Sequence, residues 1–373
     1  MCSVINYARI NLRKSMKILV IPDSFKGTLS SAEVGTIIRE EIKKNHPDYE
    51  VFNVPVADGG EGTVEAVLTA RPGERIRESV SGPYYEKMDV EYAYYPDENM
   101  AVMEMASCRG LPLVAGRMNP ELTTTYGVGE MVLDAINRGI ESIYIGLGGS
   151  CTTDGGCGYA SALGVRFLDE DGKPFIPVGG TLKNISDIVP VEINSKIRAL
   201  CDVTNPLYGP SGASYVFARQ KGADDEAIER LDQGLRHLSE VVENKLHLKL
   251  SDCQGAGAAG GLGYGMMVFS NAAFDRGINK ILDIIDYEKL IEDVDIVITG
   301  EGKLDYQSFQ GKVIDGIINR SPGKRVIMVV GMKDDSVSDE YEVYSTMNNG
   351  RRFPENKLEA MDNLKKTVDE IEF

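Results

Sequence analysis

A glycine-rich stretch in the middle of the chain constrains its fold most strongly. Residues 146–164 read GLGGSCTTDGGCGYASALG and overlap an apolar run, 142–147, that is typical of a buried strand. Glycines lack Cβ atoms, so successive main-chain N–H groups can close on an anion, and a helix beginning after them adds positive partial charge. The pattern predicts a phosphate-binding turn between a strand and a helix. The alternative is a tight turn whose glycines only allow close packing.

The stretch departs from both standard phosphate-binding loops. No lysine follows its glycines, as GxxxxGK[ST] requires, and the spacing does not match GxGxxG. Residues 255–265 (GAGAAGGLGYG) form a second glycine-rich stretch. We predict that these stretches bind phosphate through main-chain N–H groups and hydroxyls. The candidate residues are Gly148, Gly149, Ser150, Thr152, Thr153, Gly257 and Gly260.

Charge and composition limit the classes of partner. The 373 residues carry a net charge of −17 with a pI near 4.8, which disfavours binding to nucleic acid or to an anionic membrane. No apolar run approaches the length of a membrane span. The length suggests two domains, and 42% apolar residues are ample for two cores.

The cysteines and the first residues indicate the compartment. The six cysteines lack zinc-type spacing and no secretory leader is recognisable, so we predict reduced thiols in a cytoplasmic protein. Residues 1–16 have no core pattern and are predicted to be a flexible extension. The sequence is compatible with a monomer and with a homodimer.

Strands and helices alternate at both ends of the chain. Residues 17–22 and 51–56 are strand-like, and each run is followed by a loop that carries an acid beside glycine, 23–28 (DSFKGT) and 57–62 (ADGGEG). The rhythm returns with the strand-like residues 295–299. Open α/β sheets bind ligands at the carboxyl ends of their strands, so these loops are candidate binding loops.

The middle of the chain differs from its ends. Residues 75–106 are strand-like, tyrosine-rich and interrupted by Gly-Pro, which predicts an antiparallel meander. We therefore predict an α/β protein with two α/β domains. One domain is Rossmann-like or flavodoxin-like and discontinuous, comprising residues 17–74 and 274–373. Residues 75–273 form the inserted second α/β domain, which carries the glycine-rich anion loop.

Six motifs, in this order, carry a resemblance to a known family. They are PDSFKGTLSS, ADGGEGT, GLGGSCTTDGGCGYASALG, CDVTNPLYGPSGA, GAGAAGGLGYG and TGEGKLDYQS. Over residues 16–330 the chain resembles the bacterial glycerate kinases that phosphorylate D-glycerate. The resemblance implies two α/β domains with a cleft between them, ATP as donor, Mg²⁺, and phosphoryl transfer to D-glycerate. The usual acceptor is the 2-hydroxyl, which gives 2-phosphoglycerate.

Phosphoryl transfer needs cations, a metal ion and a proton acceptor. Lys26 and Lys303 are the lysines of the glycine-containing strand-end loops, and we predict that they face phosphate or carboxylate. Asp154 and Asp202 are the predicted Mg²⁺ ligands, with Asp58 next, because Mg²⁺ prefers carboxylate oxygens. The alternative is a surface position for each lysine and the capping of a helix or turn for each aspartate.

The remaining roles concern the proton, the substrate and the nucleotide. The predicted catalytic residues are Lys26 and a base, Asp202 or Asp23, and the sequence does not separate base from metal ligand. The nucleotide phosphates are assigned to the two glycine-rich stretches and Lys303, and either stretch is open to ATP. The predicted contacts to D-glycerate are Ser24, Lys26, Asp58, Gly59, Gly60 and Asn205.

Three alternative functions make different demands on the sequence. A glycerate 3-kinase would give 3-phosphoglycerate. A hydroxy-acid dehydrogenase would require GxGxxG after the first strand, where this chain has DSFKGT. A non-catalytic sugar-acid sensor would be expected to have lost the acids and lysines, and none is lost. Arg109 in MASCRGLPL is compatible with anion binding and with packing.

Overall fold

The chain forms two compact units. The computed structural model describes residues 15–25, 27–347 and 351–373. Unit 1 consists of the described parts of Met1–Val54, Glu288–Leu304 and Ser321–Phe373, and unit 2 consists of Pro55–Tyr287 and Asp305–Arg320.

The regular elements of the described residues are numbered in chain order. The strands are β1 (Lys17–Val20), β2 (Glu50–Asn53), β3 (Glu74–Ser81), β4 (Lys87–Tyr95), β5 (Met100–Glu104), β6 (Ser142–Gly146), β7 (Arg166–Leu168), β8 (Pro174–Phe175), β9 (Asp187–Val189), β10 (Lys196–Leu200), β11 (Ala273–Asp275), β12 (Ile296–Thr299), β13 (Lys303–Leu304), β14 (Arg325–Val330), β15 (Met332–Lys333) and β16 (Glu342–Ser345). The α-helices are α1 (Ser31–Asn45), α2 (Thr63–Ala70), α3 (Ala106–Arg109), α4 (Tyr126–Asn137), α5 (Cys157–Ala162), α6 (Asp225–Leu246), α7 (Ala258–Ser270), α8 (Gly277–Ile284), α9 (Tyr287–Ile291), α10 (Val313–Asn319) and α11 (Lys357–Val368). Short 3₁₀ turns lie at Pro96–Glu98, Leu111–Val114, Gly179–Asn184, Arg219–Lys221 and Tyr306–Phe309, and a π turn lies at Ser214–Ala218.

Unit 1 contains a five-stranded parallel sheet in the order β16-β14-β12-β1-β2. Counted along the chain, this is the 2-1-3-4-5 order of flavodoxin-like folds. The register places Ile18 between Val51 and Ile296. The strand order confirms the prediction of a flavodoxin-like α/β unit assembled from both ends of the chain.

The core of unit 1 lies between the sheet and helices α1 and α11. Helix α1 begins where its sequence dictates, because Glu33 N donates to Ser30 Oγ at 3.3 Å and Ser30 N donates to the Glu33 carboxylate at 3.0 Å. The apolar face of this helix packs on alternate strand residues, which leaves the carboxyl ends of the strands open to carry loops. The buried side chains include Val34, Ile38, Ile42, Ile298, Val329 and Leu364.

Unit 2 contains a six-stranded mixed sheet in the order β11-β10-β6-β5-β4-β3. The first four strands of this order are mutually parallel, and β4 pairs antiparallel with β3 and with β5. The antiparallel part confirms the predicted meander. The parallel part brings the ends of β6, β10 and β11 to the same edge, where their loops meet.

Two helices differ in extent from the sequence prediction. The sequence pattern predicts one helix over 119–139, but α4 covers only Tyr126–Asn137. It predicts another over 278–291, which is divided between α8 and α9. Asp286 between α8 and α9 has a φ of 58°, a left-handed conformation that ends a helix.

The predicted domain boundaries differ from the boundaries of the units. The sequence placed the changes after residues 74 and 273, whereas the units change after residues 54, 287, 304 and 320. The predicted boundaries of independently folding domains stay a prediction, as does the cleft. The predicted extension, 1–16, lies almost entirely outside the described residues. Within the described ranges, no helix has both the length and the apolar character needed to cross a membrane.

Candidate active site

The loop of residues 58–60 packs main chain to main chain against the end of β6 in unit 2. Gly148 N donates to Gly59 O at 3.1 Å, and a Cβ atom on Gly146 would lie 2.1 Å from the same oxygen. Gly59 itself has a φ of 97°, which favours glycine. These glycines are therefore required by a close approach of two loops at the strand ends.

Asp202 follows β10 and reaches the same place. Its Oδ1 accepts the N–H of Gly277 at 3.0 Å, and its Oδ2 is buried with no hydrogen-bond partner among the described residues. A Cβ atom on Gly277 would lie 2.1 Å from the main-chain oxygen of Asp58 and 3.1 Å from Oδ2 of Asp202. A buried carboxylate oxygen without a donor is costly to folding, so its presence points to a ligand or water that completes the site.

The charges around Asp202 determine its protonation. Burial, and secondly the negative charge of Asp58, raise the pKa of Asp202 to about 7. The hydrogen bond from Gly277 and the positive charges of Arg276 and Lys312 act in the opposite direction. The site thus combines two acids with two cations in loops at strand ends and helix starts, a charge pattern suited to a phosphate-bearing ligand.

Sequence reasoning missed the two cations of this cluster. Arg276 is exposed directly after β11, and Lys312 is half-buried directly before α10. The available signal was the same in both cases, a basic residue beside glycine at the end of a strand or the start of a helix. Arg276 stands before Gly277, and Lys312 follows Gly311, whose Cβ position lies 3.5 Å from Arg276 Nη1.

The glycine-rich stretch after β6 has an open beginning. Gly149 is exposed, Gly148 is half-buried, and Gly149 has a φ of 77°. Ser150 is buried, and its Oγ accepts a hydrogen bond from Lys221 Nζ at 2.8 Å. The main chain at Gly148–Gly149 is therefore the part of the predicted phosphate loop that a ligand reaches from solvent.

Further along the stretch, Thr152 and Thr153 are fully buried. Thr152 Oγ1 donates to the main-chain oxygen of Ala259 at 3.5 Å, and Thr153 Oγ1 has no hydrogen-bond partner within the described ranges. Both hydroxyls lie inside unit 2, so this geometry argues against their predicted contact with phosphate.

The environment of Asp154 corrects its predicted role as a metal ligand. Its Oδ2 accepts hydrogen bonds from Thr125 N at 2.7 Å, Thr125 Oγ1 at 2.8 Å and Gly158 N at 3.2 Å, and its Oδ1 accepts from Gly156 N at 3.1 Å. Burial raises the pKa of Asp154, and these donors oppose that shift. A fully buried carboxylate with four hydrogen bonds caps the starts of α4 and α5, which accounts for its burial without a metal ion and disfavours the predicted role as a metal ligand.

The second glycine-rich stretch also serves packing. A Cβ atom on Gly260 would lie 1.9 Å from Thr152 O, and one on Gly257 would lie 2.3 Å from Pro206 O. Gly155 N donates to Gly260 O at 3.1 Å, so the two glycine-rich stretches are in direct main-chain contact. Close packing, the alternative considered for such glycines, accounts for Gly257 and Gly260 better than contact with a nucleotide does.

Asn205 lies beside this packed region. Its Nδ2 donates to Ser211 O at 2.7 Å, and its main-chain oxygen accepts from Gly257 N at 2.9 Å. These bonds fix the loop after β10. The predicted contact of Asn205 with substrate stays a prediction.

The predicted residues of unit 1 lie at the carboxyl ends of β1 and β12. Asp23 N donates to Gly300 O at 2.8 Å, and Ser24 N donates to Asp23 Oδ1 at 2.6 Å. Lys303 is exposed and lies 3.9 Å from Asp334. Lys26 falls outside the described residues. The functional roles of all four stay predictions.

Comparison with known proteins shows which family the chain belongs to. Residues 18–372 match the glycerate kinase family. The chain belongs to that family. It is 42% identical over 330 residues to the glycerate 2-kinase of Escherichia coli K12, covering 86% of this chain and 87% of the relative.

Further relatives agree with this membership. The glycerate kinase of Bacillus subtilis 168 is 40% identical over 335 residues, which cover 88% of this chain and 87% of that protein. A crystal structure from Salmonella typhimurium LT2, provisionally named glycerate kinase 2, superposes with a TM-score of 0.78 at 36% identity, covering 95% of this chain and 96% of the other. This glycerate kinase family member is therefore a phosphotransferase, and kinase membership implies ATP as the phosphate donor.

Proposed function

We propose that this protein transfers the γ-phosphoryl group of ATP to the 2-hydroxyl of D-glycerate, giving 2-phosphoglycerate. The name of the Escherichia coli relative, a glycerate 2-kinase at 42% identity, supports the choice of hydroxyl. The structural observation that supports the proposed chemistry is the buried Oδ2 of Asp202, which lacks a hydrogen-bond partner among the described residues. We place the reacting hydroxyl at this oxygen.

Asp202 has the properties of a proton acceptor. A base works best when its pKa is near the working pH, and burial with the Asp58 charge raises the pKa of Asp202 to about 7. Loss of the hydroxyl proton to Oδ2 leaves an oxygen nucleophile facing the phosphoryl group. Arg276 and Lys312 supply positive charge beside the transferring group.

Asp58 is the residue that would hold Mg²⁺, and Asp202 would do so as well if it is a metal ligand rather than the base. The fit rests on their chemistry, since Mg²⁺ takes one or two carboxylates and fills its other positions with water and phosphate oxygens. Nowhere in the described ranges do three or more His, Cys, Asp or Glu side chains form a metal-binding group. When bound, Mg²⁺ would neutralise charge on the nucleotide phosphates.

The phosphates of ATP are assigned to the open main chain at Gly148–Ser150, and the carboxylate of D-glycerate to the turn of residues 58–60. Ser24, Lys26 and Asp23 of unit 1 stay candidates for substrate contact and catalysis, as Lys303 does for phosphate. A cytoplasmic location and a monomer or homodimer are further parts of the proposal.

A product assay tests the proposed reaction. Purified protein is incubated with ATP, Mg²⁺ and D-glycerate, and the product is identified by ³¹P NMR and by enolase coupling without a mutase. The expected product is 2-phosphoglycerate, with ADP released only when D-glycerate is present. Exclusive formation of 3-phosphoglycerate would contradict the choice of hydroxyl, and glycerate-independent ADP release would contradict the kinase assignment.

A further inference from the structure

Two buried cations enclose the segment of residues 150–152 in unit 2. Lys221 is 2% exposed, and its Nζ donates to Ser150 Oγ at 2.8 Å and to Thr152 O at 2.6 Å. Arg109 is fully buried, and its main-chain oxygen accepts the N–H of Cys151 at 2.9 Å. The short loop beneath Gly149 is thus held by a cationic residue on either side.

Neither cation has a carboxylate partner. In the part of the chain that the structure describes, Arg109 and Lys221 form no ion pair, and Arg109 Nε and Nη2 have no hydrogen-bond partner. Arg109 Nη1 donates to the main-chain oxygens of Ser81 and Cys108. The carboxylate of Asp154 acts on Lys221 from a distance, but its oxygens accept hydrogen bonds from Thr125, Gly156 and Gly158.

Such an arrangement is unfavourable for stability. Burying one unpaired cation costs several kcal/mol, and replacing it with an apolar side chain of similar volume is often neutral or stabilising. Lys221 contacts Ser150, directly after the exposed turn at Gly148–Gly149, and the charge of Arg109 acts on Cys151 in the same loop. Uncompensated buried charge beside an open main-chain turn is the arrangement that attracts an anion.

We propose that Lys221 and Arg109 give the Gly148–Thr152 loop its affinity for the phosphate oxygens of the nucleotide. Lys221 is a positioning residue, because it holds Ser150 and Thr152 and so fixes the main-chain N–H groups of the turn. Arg109 contributes through its charge. This inference rests on the proposed function, and it adds two residues that neither glycine pattern nor strand-end position assigns.

The protonation of Lys221 gives the proposal a distinctive readout. Burial lowers the pKa of Lys221 to about 8, against the raising effects of Cys151 and Asp154, and Arg109 is the other charge at this loop. Wild-type affinity for ADP should therefore fall as the pH rises from 7 to 9.5. A variant without the lysine should lose the part of that fall centred near pH 8, while the titration of Asp202 near pH 7 is unchanged in it.

Binding measurements with ADP test the proposal without turnover. Isothermal titration of ADP is compared for wild type, Lys221→Met, Lys221→Arg and Arg109→Gln, with Lys245→Met on the exposed face of α6 as the charge-matched control. We expect Lys221→Met to raise the Kd for ADP at least tenfold, Arg109→Gln several-fold, and Lys221→Arg and Lys245→Met less than threefold. The KM for D-glycerate should change less than threefold in Lys221→Met, which assigns the phosphate to the nucleotide rather than to the acid substrate.

Stability separates positioning from packing. Lys221→Met should melt at the same temperature as wild type or higher while it loses ADP affinity. An ADP Kd within twofold of wild type, or an equal loss for D-glycerate, would overturn the inference. Should Lys221→Met fail to fold, the wild-type pH series decides, and a flat Kd between pH 7 and 9.5 would overturn it as well.

The inference and the proposed function fail separately. Lysine-dependent ADP binding by a protein that does not phosphorylate D-glycerate would remove the proposed function and keep the loop assignment. Normal turnover with ADP binding that does not depend on Lys221 would remove the loop assignment and keep the proposed function.

Discussion

Asp154 and Asp202 both lie in loops at strand ends of unit 2, yet their carboxylates have opposite environments. Asp154 is fully buried and accepts four hydrogen bonds that join the starts of α4 and α5. Asp202 accepts one, from Gly277, and its second oxygen has no partner among the described residues. The first carboxylate stabilises the fold, whereas the second is held at a cost to folding, which is typical of functional sites.

The same contrast extends to the glycines around each aspartate. Near Asp154, glycines such as Gly260 let two loops interlock inside the unit. Near Asp202, the glycines of 58–60 and 146–149 bring loops together at an edge where Gly149 is exposed. Glycine density alone therefore does not distinguish a ligand site from a packed turn. What distinguishes them here is whether both oxygens of the neighbouring carboxylate have hydrogen-bond donors.

The largest expected effect is on turnover in Asp202→Asn. The substitution keeps the shape and the acceptor for Gly277 N–H but removes the charge, so kcat should fall on the order of 10² to 10⁴-fold. Steady-state kinetics are measured across a Mg²⁺ titration. A loss that persists at saturating Mg²⁺ assigns the base, and a loss that high Mg²⁺ restores assigns a metal ligand.

The control for that experiment is His237→Gln. His237 Nε2 contacts only the main-chain oxygen of Ile185, at 2.7 Å, among the hydrogen bonds of the described residues. Its kcat should stay within about twofold of wild type. If Asp202→Asn retains kcat within about threefold, Asp202 is a cap and the catalytic role moves to Asp23 or Asp58.

The identical change at the other aspartate should affect stability instead. Asp154→Asn sets an amide NH₂ against groups that donate to the carboxylate, so the free energy of unfolding should fall by about 2 to 4 kcal/mol. Urea denaturation measures it, and kcat at a temperature where the variant is folded should fall only a few-fold. A hundredfold loss of kcat with unchanged stability would reverse the assignment of the two aspartates.

The contrast between Asp154 and Asp202 also shows how much of the fold and of the site the sequence predicts. The main strands and helices were predictable because apolar periodicity and capping residues are local signals, as Ser30 and Glu33 illustrate. The role of Asp154 was not, because occupation of its oxygens depends on Thr125, which lies far away in the sequence. Arg276 and Lys312 were missed for a similar reason, since only the fold brings them beside Asp202.

The packing role of the second glycine-rich stretch is tested by Gly260→Ala. The added Cβ would lie 1.9 Å from Thr152 O at a residue whose φ is 68°, so we expect a loss of about 3 kcal/mol in the free energy of unfolding. Gly172→Ala is the matched control, because its φ of 75° carries the same conformational cost with no atom within 4 Å. That control should lose about 1 kcal/mol. Equal losses in thermal denaturation would mean that conformation, rather than contact with the loop at Thr152, makes glycine necessary.

The smallest expected effect is on the stability of Asp202→Asn in metal-free buffer. Unlike the preceding substitutions, this one should stabilise the fold. The pKa of Asp202 is about 7 in the folded protein and near 3.8 when unfolded, so the folded state binds the proton more tightly. Its ionisation therefore destabilises the fold as the pH rises through 7, and that penalty is absent below about pH 4. Asp202→Asn cannot ionise, so it should be more stable than wild type at pH 8. The full pKa difference corresponds to about 4 kcal/mol, and solvent screening of the partly exposed carboxylate reduces the expected gain to about 2 kcal/mol, which disappears as the pH falls towards 4. Urea denaturation at pH 8, 6 and 4 measures the difference.

Asp58→Asn should give a smaller gain of the same sign, because it removes only the secondary cause of the raised pKa. A pH-independent difference would show that ionisation of Asp202 costs the fold nothing, and the contrast with Asp154 would then rest on hydrogen bonding alone.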